Sequence, residues 1–153
     1  MPLPRCGAGA IRGRHARVKS LSGFEAKIVA AAADAMFPPG GAIAISGTDA
    51  GVVPYFDEML AELGSKQRLL IRLLLVFVEL VPVFFLQRAR FSRQPLATRI
   101  STLAALADSP LFFLRTTFQS LRTLVGIGYL ASEEVAAATG ALPDLDPFAR
   151  RDA

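Results

Sequence analysis

An all-α fold, one compact domain of five or six helices, is what this sequence predicts, and three observations carry the prediction. Apolar residues recur at helical spacing through most of residues 21–140. Helix start signals at Ser22, Thr48, Ser92, Ser109 and Ser132 alternate with stops containing Gly or Pro. The chain of 153 residues is 52% apolar and 20% charged, with the apolar excess in Leu, Val, Phe and Ala. That length suffices for one domain burying about two-thirds of its unfolded surface.

The first 19 residues carry Arg5, Arg12, Arg14, Arg17 and Lys19 with no acid, so the net charge of +4 belongs largely to this head and the remainder is nearly neutral. Residues 1–20 read as a disordered basic tail, 21–140 as the helical domain and 141–153 as a short flexible C-terminal tail. With no aromatic residue to stack on bases, the head predicts no nucleic-acid partner. Its apolar pairs are interrupted by Gly or Arg, and no Arg-Arg pair precedes an apolar run, so neither a secretory nor a twin-arginine signal is visible. Cytoplasmic or peripheral membrane residence is expected, without periplasmic export.

Ser22-Gly-Phe-Glu25 forms a capping box that opens the first helix, with Phe24, Ile28, Ala31 or Ala32, and Ala35 on one face. Phe37-Pro38-Pro39-Gly40-Gly41 ends it. A second helix follows Thr48-Asp49, with Val52 or Val53, Phe56, Leu60 and Leu63 opposite a solvated face of Asp57, Glu58 and Glu62. Pro54 restricts its start, because proline is tolerated only in a helix's first turn.

Between Leu69 and Leu86, 15 of 18 residues are large and apolar. The length approaches that of a membrane span, but Arg72, Glu79 and Pro82 oppose insertion. At 100° per residue, Arg68, Arg72 and Glu79 fall within about 40° of one another. This narrow polar stripe predicts the central helix of a soluble bundle, with Pro82 kinking or ending it about a turn before Phe84-Phe85. The alternative is an apolar membrane hairpin of residues 69–86 and 110–130, with the basic turn of residues 88–93 at the headgroups.

Ser92 and Pro95 open a fourth helix with Leu96, Ile100, Leu103 and Ala107 on one face. Asp108-Ser109-Pro110 launches a second strongly apolar helix to about Leu130, with Arg115, Gln119 and Arg122 as its polar stripe. From Lys66 to Arg122 there are nine basic residues and two acids, Glu79 and Asp108. A buried Glu79 needs a partner, and Arg115 or Arg122 would reach it from an antiparallel neighbour. Ser132 starts a last short helix that Gly140 ends.

No catalytic residues, metal ligands or cofactor-binding residues are expected. The only His is His15 and the only Cys is Cys6, both in the head. This removes a histidine-based hydrolase and an intrachain disulfide. The Gly-rich GAGAIRG lies in the same head without a preceding strand, so it is not a phosphate loop. The aromatic pairs Phe84-Phe85 and Phe112-Phe113 read as core or protein interface rather than a lipid or sterol pocket.

Within Phe24 to Leu63, FEAKIVAAAADAMFPPGGAIAISGTDAGVVPYFDEML resembles the helix, D-x-x-F-P turn and A-G-V-x-x-Y-x-D-x-x-L helix of the gluconate 2-dehydrogenase subunit 3 family. RFSRQPLATRISTLAALADSPLFFLRTTFQSLRTLVGIGYL is similar to the helical region preceding the flavin domain of long-chain alcohol oxidases. The resemblance implies a non-catalytic accessory subunit beside a large flavoprotein of the glucose-methanol-choline (GMC) type. That partner would carry FAD, oxidise an alcohol, sugar or sterol, and pass electrons to any cytochrome or membrane acceptor. The matched Asp34, Phe37, Pro38, Gly51, Val52, Tyr55, Asp57 and Leu60 are then turn, cap and packing residues. The expected partner interface comprises Phe37, Pro38, Tyr55, Phe84, Phe85, Arg90, Phe112 and Phe113.

Overall fold

The computed structural model describes residues 20–85 and 89–140. Among them are six α-helices and no strand: α1 (Gly23–Met36), α2 (Val52–Glu62), α3 (Ser65–Phe84), α4 (Leu96–Ala107), α5 (Phe112–Leu130) and α6 (Glu133–Thr139). A 3-10 turn, Phe91–Arg93, precedes α4. The all-α expectation therefore stands. The readings made for the basic head with Cys6 and His15, for Leu86, Gln87 and Arg88, and for the C-terminal tail lie outside the described residues.

The centre of the bundle is α1, which packs against α2, α3, α4, α5 and the 3-10 turn. Ile28, Val29, Ala32 and Ala33 are fully enclosed. Alanine allows this because a methyl side chain lets neighbouring backbones approach on several sides of one helix. The expectation that residues 69–86 supply the central helix is thus corrected. Phe24, expected on the inward face, is 44% exposed. The expected capping box is present: Ser22 Oγ accepts from the Glu25 N–H at 3.2 Å, and Glu25 Oε2 accepts from the Ser22 N–H at 2.8 Å. Such a cap contributes about 0.5–2 kcal/mol.

The segment between α1 and α2 is fastened to the end of α1. Asp34 Oδ1 accepts from both the N–H and the hydroxyl of Thr48, at 2.9 and 2.6 Å, and Phe37 O accepts from the Gly47 N–H at 2.9 Å. Gly47 lies so close to α1 that a Cβ there would come within 2.4 Å of the Ala33 carbonyl. Gly51 adopts φ +79° and caps α2, which begins at Val52 and keeps Pro54 in its first turn. Val52, Phe56 and Leu60 are buried along the expected stripe. Asp57 departs from its expected solvated face: its Oδ1 accepts from the Leu21 N–H at 2.7 Å, tying α2 to the entry of α1.

Pro82 lies inside the last turn of α3, which runs on to Phe84 instead of stopping a turn earlier. The start of α4 also differs. Ser92 belongs to the 3-10 turn, and Pro95 directly precedes the helix. Thr102, Leu103 and Leu106 form the buried face of α4, whereas Ile100 is 40% exposed. α5 begins at Phe112, two residues beyond Pro110, because Ser109 Oγ instead accepts from the Leu111 N–H in a local turn. Gly140 ends α6 at φ +66°.

Candidate functional site

The sequence of α3 places three polar side chains on one stripe, and each makes contacts back into the bundle. Arg68 donates from Nε to Leu60 O at 2.9 Å and from Nη2 to Leu63 O at 3.0 Å, satisfying carbonyls at the end of α2. Arg72 donates from Nη2 to Ser20 O at 2.7 Å, and its Nε lies 3.3 Å from Glu25 Oε1. Glu79, only 1% exposed, accepts from the Ser92 N–H at 2.9 Å and from the Ser92 hydroxyl at 2.7 Å.

The expected pairing of Glu79 with Arg115 or Arg122 is therefore corrected. Arg115 donates to Ser109 O and Pro110 O at the start of its own helix, and Arg122 is exposed. The chain that follows α3 returns Ser92 to Glu79, so two hydrogen bonds from one residue serve the carboxylate, which makes no ion pair among the described residues. Burial of a charge demands donors, and those donors need not come from an ion pair.

Glu79 is buried and the partly exposed Arg68 and Arg72 bond back to the bundle, while another side of α3 presents apolar side chains outward. Leu70, Leu73, Val83 and Phe84 range from 48% to 73% exposed, and Val76 and Leu80 are partly open as well. The inward face also buries Leu75, Val78, Val81 and Pro82 beside Glu79, so α3 is apolar on both sides, whereas an amphipathic surface helix ordinarily turns a polar face to solvent. Phe112 and Phe113, at 76% and 64% exposed, extend the apolar surface onto α5.

Between α3 and α5 runs an open groove of about 710 Å³. Phe77 and Phe113 meet across it edge to face, with ring centroids 5.1 Å apart and planes at 75°. The α5 wall includes Thr116 and Thr117, whose hydroxyls donate at 2.9 Å to Phe112 O and Phe113 O. These internal bonds consume their donors, leaving a groove that offers mainly apolar contact.

The expected interface residues divide into two groups. Phe84, Phe85, Phe112 and Phe113 are exposed at the ends of α3 and α5, and Arg90 is exposed beyond α3. Phe37 and Tyr55 instead pack within the bundle. The Phe37 ring stacks parallel to Tyr129 at a centroid distance of 3.8 Å. Tyr55 lies over Gly128, where a Cβ would meet its ring at 2.8 Å. Pro38 lines a small cleft with Phe37 and Tyr129. The Tyr129 hydroxyl donates to Ile45 O at 2.8 Å, and burial raises its pKa above the ordinary 10.0.

The sequence reading did not single out Leu70, Leu73, Val76 or Leu80 as surface residues, nor the partly buried Phe77 as part of a groove wall. The available signal was the width of the apolar arc on α3: three aligned polar groups mark the side that faces polar backbone, leaving the rest for another contact. A second cleft, between α1 and the chain from Arg90 to Arg99, was also missed. Phe24, Lys27, Asp34, Glu79, Arg90 and Arg93 line it, together with Arg99.

Among the described residues, no three or more His, Cys, Asp or Glu side chains gather where they could hold a metal ion. Nor is any described helix long and apolar enough to cross a membrane. No protein-family model, curated protein or solved structure matches this chain.

Proposed function

We propose that this chain is a non-catalytic accessory subunit that docks through its α3–α5 face onto a large FAD-dependent oxidoreductase of the GMC type. It stabilises that partner or assists its maturation. The supporting observation is the outward face of α3, where Leu70, Leu73, Val83 and Phe84 are exposed while Arg68, Arg72 and Glu79 hydrogen-bond back to the bundle. Contiguous apolar surface of this kind marks interaction sites. The resemblance of residues 24–63 and 90–130 supplies the partner class. FAD and the alcohol, sugar or sterol chemistry belong to the partner, and any cytochrome or membrane acceptor is reached through it.

This role places the subunit in the cytoplasm or at a membrane periphery. In its spanning form, the alternative hairpin of residues 69–86 and 110–130 lacks a described helix long and apolar enough to cross the bilayer. Affinity capture of the tagged chain from its native cells, followed by a flavin absorbance scan, tests the accessory role. A stoichiometric yellow large partner is the expected result. A colourless chain recovered alone from the membrane fraction would contradict it.

A further inference from the structure

We propose that the cleft between α1 and the Arg90–Arg99 segment binds a phosphate-bearing anion, at a site separate from the α3–α5 docking face. The cleft encloses about 470 Å³. Among the described residues, four cations border it: Lys27 from α1, Arg90 and Arg93 from the connecting segment, and Arg99 from α4. None makes an ion pair among the described residues, where the only salt bridge is Arg72 with Glu25.

The two acids in the lining are already engaged. Asp34 receives two hydrogen bonds from Thr48, and Glu79 receives two from Ser92. The described lining residues carry a formal charge of +2, four cations against two carboxylates. Arg99 is positioned in advance, donating from Nε to Gln94 O at 2.9 Å and from Nη1 to Ala31 O at 3.3 Å. The Glu79–Ser92 bonds hold the segment bearing Arg90 and Arg93 against α3. Guanidinium and ammonium groups bordering one cleft suit phosphate oxygens, which accept charge-assisted hydrogen bonds. The half-open Phe24 ring supplies an apolar wall for the remainder of a ligand.

Calorimetric titration of the full chain with inorganic pyrophosphate at constant ionic strength tests this site. Saturable binding is expected, with affinity falling about tenfold or more in Arg90→Glu/Arg93→Glu, as expected when charge-assisted contacts are lost. Arg122→Glu on α5 should retain the wild-type affinity, and thermal melting checks that both variants fold. A parallel flotation assay uses phosphatidylcholine vesicles with and without phosphatidylglycerol. Anionic vesicle binding abolished by the same pair of substitutions would support the site and identify a lipid headgroup as the phosphate source; pyrophosphate binding alone would identify a soluble ligand. Equal loss in the paired variant and Arg122→Glu, or no saturable binding in either assay, would overturn the proposal. Neither result bears on flavoprotein capture, so the two readings fail independently.

Discussion

Glu79 and Ser92 form a closed pair in which one carboxylate takes both the backbone N–H and the hydroxyl of one residue, at 2.9 and 2.7 Å. The pair joins α3 to the 3-10 turn and gives the buried acid two donors, with no ion pair to Glu79 among the described residues. Ser92→Ala leaves the carboxylate one donor short and should destabilise the fold by about 1–3 kcal/mol. Arg122→Ala, at an exposed position, should change stability by no more than about 0.5 kcal/mol. Urea unfolding of both variants separates this arrangement from an ion pair of Glu79 with Arg122, which would make Arg122 the sensitive site.

Gly47 and Gly126 should respond oppositely to alanine. At Gly47 the new methyl would meet the Ala33 carbonyl at 2.4 Å, so backbone must shift. A loss of about 1–3 kcal/mol is expected. At Gly126, inside α5, a Cβ meets nothing within 4 Å. Alanine there should stabilise the protein by about 0.5–1 kcal/mol through helix propensity. Thermal melting with matched baselines reads both signs.

Tyr129 predicts an alkaline dependence. Its folded pKa lies above the ordinary 10.0, because burial disfavours the phenolate. The folded state therefore holds this proton more tightly than the unfolded state. The corresponding stabilisation is complete below pH 10.0 and is lost as pH rises from there through the raised folded value. Tyr129→Phe should remove that component of the pH profile. It should also cost about 0.5–1.5 kcal/mol at neutral pH through loss of the bond to Ile45 O. Paired denaturation curves across the alkaline range measure the difference.

Local rules made much of the helical framework legible. Ser22 and Glu25 form the capping box that their spacing predicts, Gly140 stops α6, and Val52, Phe56 and Leu60 give the buried stripe of α2. The order of burial was less legible, because large apolar side chains mark the Leu-rich α3 ahead of the Ala-rich α1. Packing reverses that rank: alanine permits close approach on many sides, and α1 takes the centre. The polar stripe of α3 was also visible in its periodicity, but periodicity does not specify which side of a helix faces inward. Backbone carbonyls at Ser20, Leu60 and Leu63, with Ser92, decide this by offering the stripe its partners. The Phe37–Tyr129 stack and the cleft around Arg99 depend on distant segments meeting, which spacing along the chain does not encode.

The outward apolar face of α3 is the central claim, and parallel affinity capture of the wild-type chain and Leu73→Glu/Leu80→Glu tests it most directly. Both leucines are partly exposed and line the groove. The paired substitution should preserve the folded melting transition while introducing charges that oppose apolar docking. The account predicts that wild type recovers a flavin-bearing large partner in stoichiometric amount and that the folded variant recovers none. Equal recovery of that partner by the two chains, or its absence from both, would contradict the account.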